Sequence, residues 1–81
     1  MELDPTTLKV GKTVDGRGHV CPIPIAMAKV GLKSIVDGEI LELLSDDDTT
    51  LRDLPTMCNA TNHEYLGHKT EDGYKRYFVK K

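Results

Sequence analysis

A cysteine followed by two prolines one residue apart, Cys21-Pro22-Ile23-Pro24, is the pattern in this chain best suited to carry chemistry. Proline has no backbone N–H and fixes φ, so the pair is either a break in regular structure or the first turn of a helix. With Cys21 as N-cap, Pro22, Ile23 and Pro24 fall at N1, N2 and N3, where amides have no partner inside the helix. Both prolines are then tolerated, and Cys21 and Ile23 keep the remaining donors. The thiol sits beside the positive end of the helix dipole, with the Ile23 N–H able to reach its sulfur. That setting favours the thiolate, which is the nucleophile. His19, two residues upstream in an extended segment, can lie on the same side as Cys21. A cysteine is commonly a small buried hydrophobe; the paired prolines, the flanking glycines and the helix placement favour a reactive one here.

The elements that must position this cysteine are legible from periodicity. A strand is expected from about Thr7 to Asp15, with Leu8, Val10 and Val14 on one parity and Lys9 and Thr13 on the other, weakened at Gly11. The glycines of "DGRG" then turn the chain. From Pro22 to about Val36, Ile25, Ala28, Leu32 and Ile35 recur at helical spacing, with Lys29 and Lys33 on another face. Gly31 costs this helix about 1 kcal/mol relative to Ala, so a close approach must use the missing side chain or packing must offset it. Gly38 suits the left-handed position that ends the helix.

"EILELLS", residues 39–45, reads as a covered strand, and "DDDTTLRDLPTMCNA" as a second helix with Leu51, Leu54 and Cys58 on one stripe. Asp48 or Thr49 can cap it, and Pro55 predicts a kink near residue 53 with Asp53 capping a second turn. The close is a hairpin, about His63 to Thr70 and Tyr74 to Lys80, joined through Asp72-Gly73. The order βαβαββ predicts a two-layer α/β (α+β) sandwich, a four-stranded mixed sheet with both helices on one face and the other face toward solvent.

The 81 residues allow one domain, spanning 1–81, with a small core. Hydrophobic residues make up 38% and charged residues 30%, which reads as globular. Eleven Lys and Arg against thirteen Asp and Glu give a net charge of −2, which removes the footprint of a nucleic-acid binder. No signal-like or membrane-length apolar run is present, so a cytoplasmic protein without direct membrane or nucleic-acid partners is expected. In a reducing compartment Cys21 and Cys58 are expected as thiols rather than a bridge.

"VDGRGHVCPIP" at 14–24 resembles the signature of the TusA-type (SirA-like) sulfur-carrier family, in which an Asp, an Arg-Gly pair and a Cys-Pro-x-Pro box follow the first strand. The similarity extends through "GEILELLSDDDTTLRDLP" at 38–55 and the aromatic hairpin. Position 19, commonly a large aliphatic in the family, is His here, and "CNATNHEYL" lacks the Gly-His often found before the third strand. The resemblance implies that Cys21 is the reactive cysteine, supported by Arg17, Gly18, Pro22 and Pro24, with His19 and Ile23 added from their position. It implies a sulfurtransferase acting as a persulfide carrier: sulfane sulfur comes from a protein donor such as a cysteine desulfurase or a rhodanese-like protein. It then passes to an acceptor protein for tRNA thiolation, cofactor synthesis or sulfur oxidation. No metal or organic cofactor is needed, and a monomer is expected.

Other residues have plainer roles. Arg17 either places positive charge near the sulfur or pairs with Asp15. Lys29 and Lys33 read as a solvated face before a docking surface for acidic partners. Cys58, on an apolar stripe, reads as core before resolving cysteine. The run Asp46 to Asp48 reads as helix capping before a cation site. His19, His63 and His68 lack zinc-ligand spacing. The alternatives to a sulfur carrier are a thiol-based redox or regulatory module, using a Cys21–Cys58 disulfide, and an interaction module that needs no thiol.

Overall fold

The apolar run at residues 40–45 is long enough for one strand and too dense to leave either face in water, and it becomes a central strand of the sheet. The computed structural model describes residues 10–20 and 22–81. The elements are β1 (Val10–Asp15), α1 (Ile23–Lys33), β2 (Ile40–Ser45), α2 (Thr49–Ala60), β3 (Glu64–Glu71) and β4 (Tyr74–Lys80). The sheet has the order β1-β2-β4-β3. β1 runs parallel to β2, and β4 lies antiparallel to both β2 and β3. The expected βαβαββ mixed sheet is therefore found, with α1 as the crossover that parallel strands require.

One face of the sheet carries the core. Leu41 pairs with Val79 and Leu43 with Tyr77, and all four are fully buried. Against them α1 packs Ala28 and Leu32, with Ile25 partly buried, as its periodicity predicts, and Ile35, just past the helix end, joins the same core. From α2 come Leu54, Met57 and Cys58. Leu51, expected in that stripe, is 40% exposed. The reason is that Thr50 points inward instead, its hydroxyl 3.0 Å from Ser45 Oγ, so α2 is rotated to bury 50, 54, 57 and 58.

The opposite face, expected to meet solvent, is partly closed. Glu42 and Phe78 pair across β2 and β4, and Phe78 is fully buried. Glu42 accepts the Thr13 hydroxyl at 2.8 Å and the Arg76 guanidinium. Arg76 also reaches Glu71 at 3.2 Å and lies 5.6 Å from the Phe78 ring centre. A carboxylate this sequestered is tolerated because both its oxygens have partners.

Several boundaries differ from the sequence expectation. Thr7 to Lys9 lie outside the described residues. α1 ends at Lys33 rather than Val36, because Ser34 donates both its amide (3.1 Å) and its hydroxyl (2.7 Å) to the Gly31 carbonyl. Gly38 does not end the helix; with φ +91° it serves a separate turn closed by Glu39 N–H to Val36 C=O at 3.1 Å. α2 runs unbroken through Pro55, so Asp53 starts no second turn. Pro55 removes only the helical partner of the Leu51 carbonyl, on an exposed side where water can replace it.

Gly31 is where α1 meets the sheet most closely. A Cβ there would lie 2.8 Å from Val14 Cγ2 and 3.0 Å from Leu41 Cδ1. The missing side chain is the close approach that the sequence called for. Gly31→Ala should gain about 1 kcal/mol of helix propensity and lose about 1–3 kcal/mol to overpacking. The expected outcome is a net loss of about 1 kcal/mol of stability, read as a lower urea midpoint with an unchanged denaturant slope.

Candidate functional site

The segment between β1 and α1 emerges at the carboxyl ends of two parallel strands, and its residues are held one by one. Cys21 itself lies outside the described residues, so the site is built from what surrounds it. Gly16 is buried, and its N–H donates to the Leu44 carbonyl at 2.7 Å. A Cβ at Gly16 would sit 3.0 Å from that carbonyl and 3.5 Å from Pro24 Cβ, so glycine is needed here for space. Gly18 has φ +84° with open space around it, so glycine is needed there for conformation. The Gly18 N–H points at the Asp46 carboxylate, 3.2 and 3.1 Å from its two oxygens. His19 is exposed, and its amide closes a turn on Gly16 C=O at 3.3 Å.

Arg17 is fully committed. Its Nε and Nη2 each reach the Asp15 carboxylate at 2.9 Å, its amide does so at 3.1 Å, and its guanidinium lies 4.9 Å from the Tyr74 ring centre. The hydrogen bonds from Arg17 draw the Asp15 pKa from 3.8 to about 2, and the same pairing raises that of Arg17. Of the two roles open to Arg17 from the sequence, the ion pair with Asp15 is the one formed.

The start of α1 departs from expectation by one residue. Pro22 occupies the N-cap position, Ile23 is N1 and Pro24 is N2, with the first helical bond from Ala26 N–H to Pro22 C=O at 3.1 Å. The Ile23 N–H, expected to serve the sulfur, donates instead to the Val20 carbonyl at 3.0 Å. Both prolines still fit, since neither N2 nor the N-cap has an intrahelical amide bond to lose. Pro24 is fully buried, whereas Val20, Pro22 and Ile23 are exposed, so the residues flanking position 21 face solvent. What α1 offers an anion here is its dipole rather than the Ile23 donor.

The acidic run does more than cap a helix. Asp47, and not the expected Asp48 or Thr49, serves the start of α2, its carboxylate accepting the Thr49 amide at 3.1 Å. Asp48 is the N-cap without a side-chain cap bond and pairs with Lys75 at 3.2 Å. Asp46 holds Gly18, which sequence reasoning missed. Tyr74, under Arg17, was missed as well. The only signal was compositional: three acids with one capping job among them. Among the described residues no group of three or more His, Cys, Asp or Glu could hold a metal ion. No described helix is long and apolar enough to cross a membrane.

Comparison with known proteins agrees with this frame. Residues 12–81 match the family model described as sulfurtransferase TusA. Among solved structures, a SirA-like protein from Desulfitobacterium hafniense is similar, with a TM-score of 0.68 at 28% identity, covering 85% of this chain and 95% of that one.

Two outcomes test the loop geometry. Replacing Asp46 with Ala should speed hydrogen exchange at the Gly18 amide by about tenfold or more, with little change in the urea midpoint; equal exchange would remove the tether. Because the Asp15 carboxyl is depressed in the folded state, its contribution is present above pH 3.8 and is lost as pH falls through about 2. The Arg17 Nε–H resonance should therefore stay in its bonded position at pH 4 and move only toward pH 2.

Proposed function

Because the chain belongs to the TusA sulfurtransferase family, we propose that its sulfur-transfer role runs through Cys21, which accepts sulfane sulfur as a persulfide and passes it to an acceptor protein. The observation that carries the reading is the match over residues 12–81, which includes the whole Cys-Pro-x-Pro box, at a helix start whose flanking residues face solvent. In the first step the Cys21 thiolate attacks the terminal sulfur of a donor persulfide. A new S–S bond forms to Cys21, the donor's own S–S bond breaks, and the donor cysteine leaves as thiolate. The proton of the transferred sulfur goes to solvent, leaving Cys21–S–S⁻. In the second step an acceptor nucleophile takes that outer sulfur and Cys21 leaves as thiolate. Sulfur keeps its oxidation level throughout, so no external oxidant or cofactor enters.

The anion formed on Cys21 is supported by the dipole of α1. Arg17 is held by Asp15 and takes no direct part. Gly18, His19 and the two prolines act by shaping the approach. The donor is a protein persulfide, of the cysteine desulfurase or rhodanese-like kind. The acceptor is a second protein in a relay for tRNA thiolation, cofactor synthesis or sulfur oxidation, reached in the cytoplasm by a monomeric carrier.

A redox module using Cys58 is disfavoured. Cys58 is 1% exposed, and burial pushes its thiol from 9.0 up to about 11. It is protonated and shielded, so it is a poor resolving partner.

Incubating the chain with a cysteine desulfurase and cysteine should add one sulfur atom to the intact mass. Cys21→Ser should abolish the gain and Cys58→Ala should leave it. Sulfur on Cys58, or a Cys21–Cys58 disulfide as the main product, overturns the reading. As a second outcome, iodoacetamide at neutral pH should label Cys58 only after unfolding; rapid labelling of the native protein would contradict its burial.

A further inference from the structure

Helix α1 carries an apolar stripe that the fold leaves unused. While Ala28 and Leu32 turn to the core, Ile23, Met27 and Val30 recur on another face at spacings of four and three. Val30 is 69% exposed and Ile23 46%, although either would gain by burial. This stripe walls a groove of about 470 Å³ between α1 and β1, with Val14 and Gly31 at its base and Lys12 on its rim. Lone exposed apolar residues need no explanation, but a contiguous lined groove marks a binding surface.

Two further features say what fits there. Among the described residues β1 is an edge strand, paired with β2 alone, so alternate N–H and C=O groups along the groove's rim have no described strand partner. Charge is the second. Lys12 lines the groove and has no ion-pair or hydrogen-bond partner among the described residues. Among the described residues no carboxylate lines the groove. In a chain of net charge −2 this is a local reversal of sign. Glu39, near Gly11 beyond the groove, is engaged by the Val36 amide at 2.8 Å.

We propose that the α1–β1 groove is a docking site for an extended, acidic and apolar segment of a partner protein, which adds as a strand to the free edge of β1. Backbone groups of the segment pair with β1, alternate apolar side chains enter the groove, and an acid of the segment meets Lys12. A helix laid on the stripe would leave the strand edge unpaired. A second copy of this chain, related by a two-fold axis, would set Lys12 against its own counterpart. The groove begins at Ile23, two residues from Cys21, so a partner seated in it arrives beside the motif. The proposal concerns docking and stands whether or not Cys21 carries sulfur.

The test uses the full chain, isotope-labelled for NMR, and a synthetic acetylated octapeptide alternating valine with glutamate or threonine. Saturable shifts should be confined to β1 amides and to the Val14, Met27 and Val30 methyls. Replacing the peptide's glutamates by lysine should weaken binding about tenfold or more. Methylating alternate backbone nitrogens should abolish it, and Lys12→Glu should reverse the charge preference. Val30→Asp, at an exposed position that leaves folding intact, should lose binding while keeping its urea midpoint. Cys21→Ser should bind like wild type, which separates this outcome from failure of sulfur transfer. No saturable binding, equal binding of the methylated peptide, tighter binding of a helix-stabilised peptide, or self-association through this face overturns the proposal.

Discussion

The contact between α1 and the sheet at Gly31 is the constraint from which the rest of the geometry follows. Val14 Cγ2 and Leu41 Cδ1 occupy the space where any other residue would carry a Cβ. This lets the crossover helix lie close over the first two strands, and it sets where that helix must begin. The link from β1 to α1 therefore stays short and pinned, with Gly16 against the Leu44 carbonyl and Pro24 buried beneath it. The loop emerges at the carboxyl ends of parallel strands, where open α/β sheets commonly place their ligand sites.

Charge around that loop is spent on holding the backbone rather than on display. Arg17 is locked by Asp15 and stacked on Tyr74, and the Gly18 amide is taken by Asp46. An exposed ion pair adds little to stability, yet a bidentate one fixes direction, and here three elements contribute to the same short loop. The Ile23 amide is engaged within the loop as well. The surroundings of position 21 thus present a shaped, largely neutral surface at the tip of a helix dipole, flanked by exposed Val20 and Ile23. Such a surface suits protein-to-protein transfer, in which the partner completes the enclosure.

The molecule is asymmetric in how it closes its faces. The helix-covered face is apolar, built from Leu41, Leu43, Tyr77 and Val79. The reverse face encloses Phe78 with a polar chain running from Thr13 through Glu42 and Arg76 to Glu71. α1 divides in the same way, one stripe inward and one stripe left beside the free edge of β1. The unused stripe and, among the described residues, the unpaired edge of β1 lie together, and the docking proposal rests on that juxtaposition.

Periodicity in the sequence was enough to determine the element order, the inward stripe of α1, the hairpin through Asp72-Gly73 and the demand for a close approach at Gly31. These depend on neighbours along the chain, whose spacing is set by backbone geometry. That both prolines belong to the first turn of α1 was likewise legible, because proline's missing N–H restricts where two of them can sit, whereas which residue caps that turn was not. Tertiary structure alone decided the rotation of α2 that buries Thr50 and exposes Leu51, since Thr50 answers to Ser45 on a strand. It also decided that Arg17 faces Asp15 and Tyr74, that Asp46 reaches Gly18, and that the Ile23 amide turns back to Val20. Those choices depend on which loops the sheet order brings to one end, and on which donors already have partners there, and neither is written in local spacing.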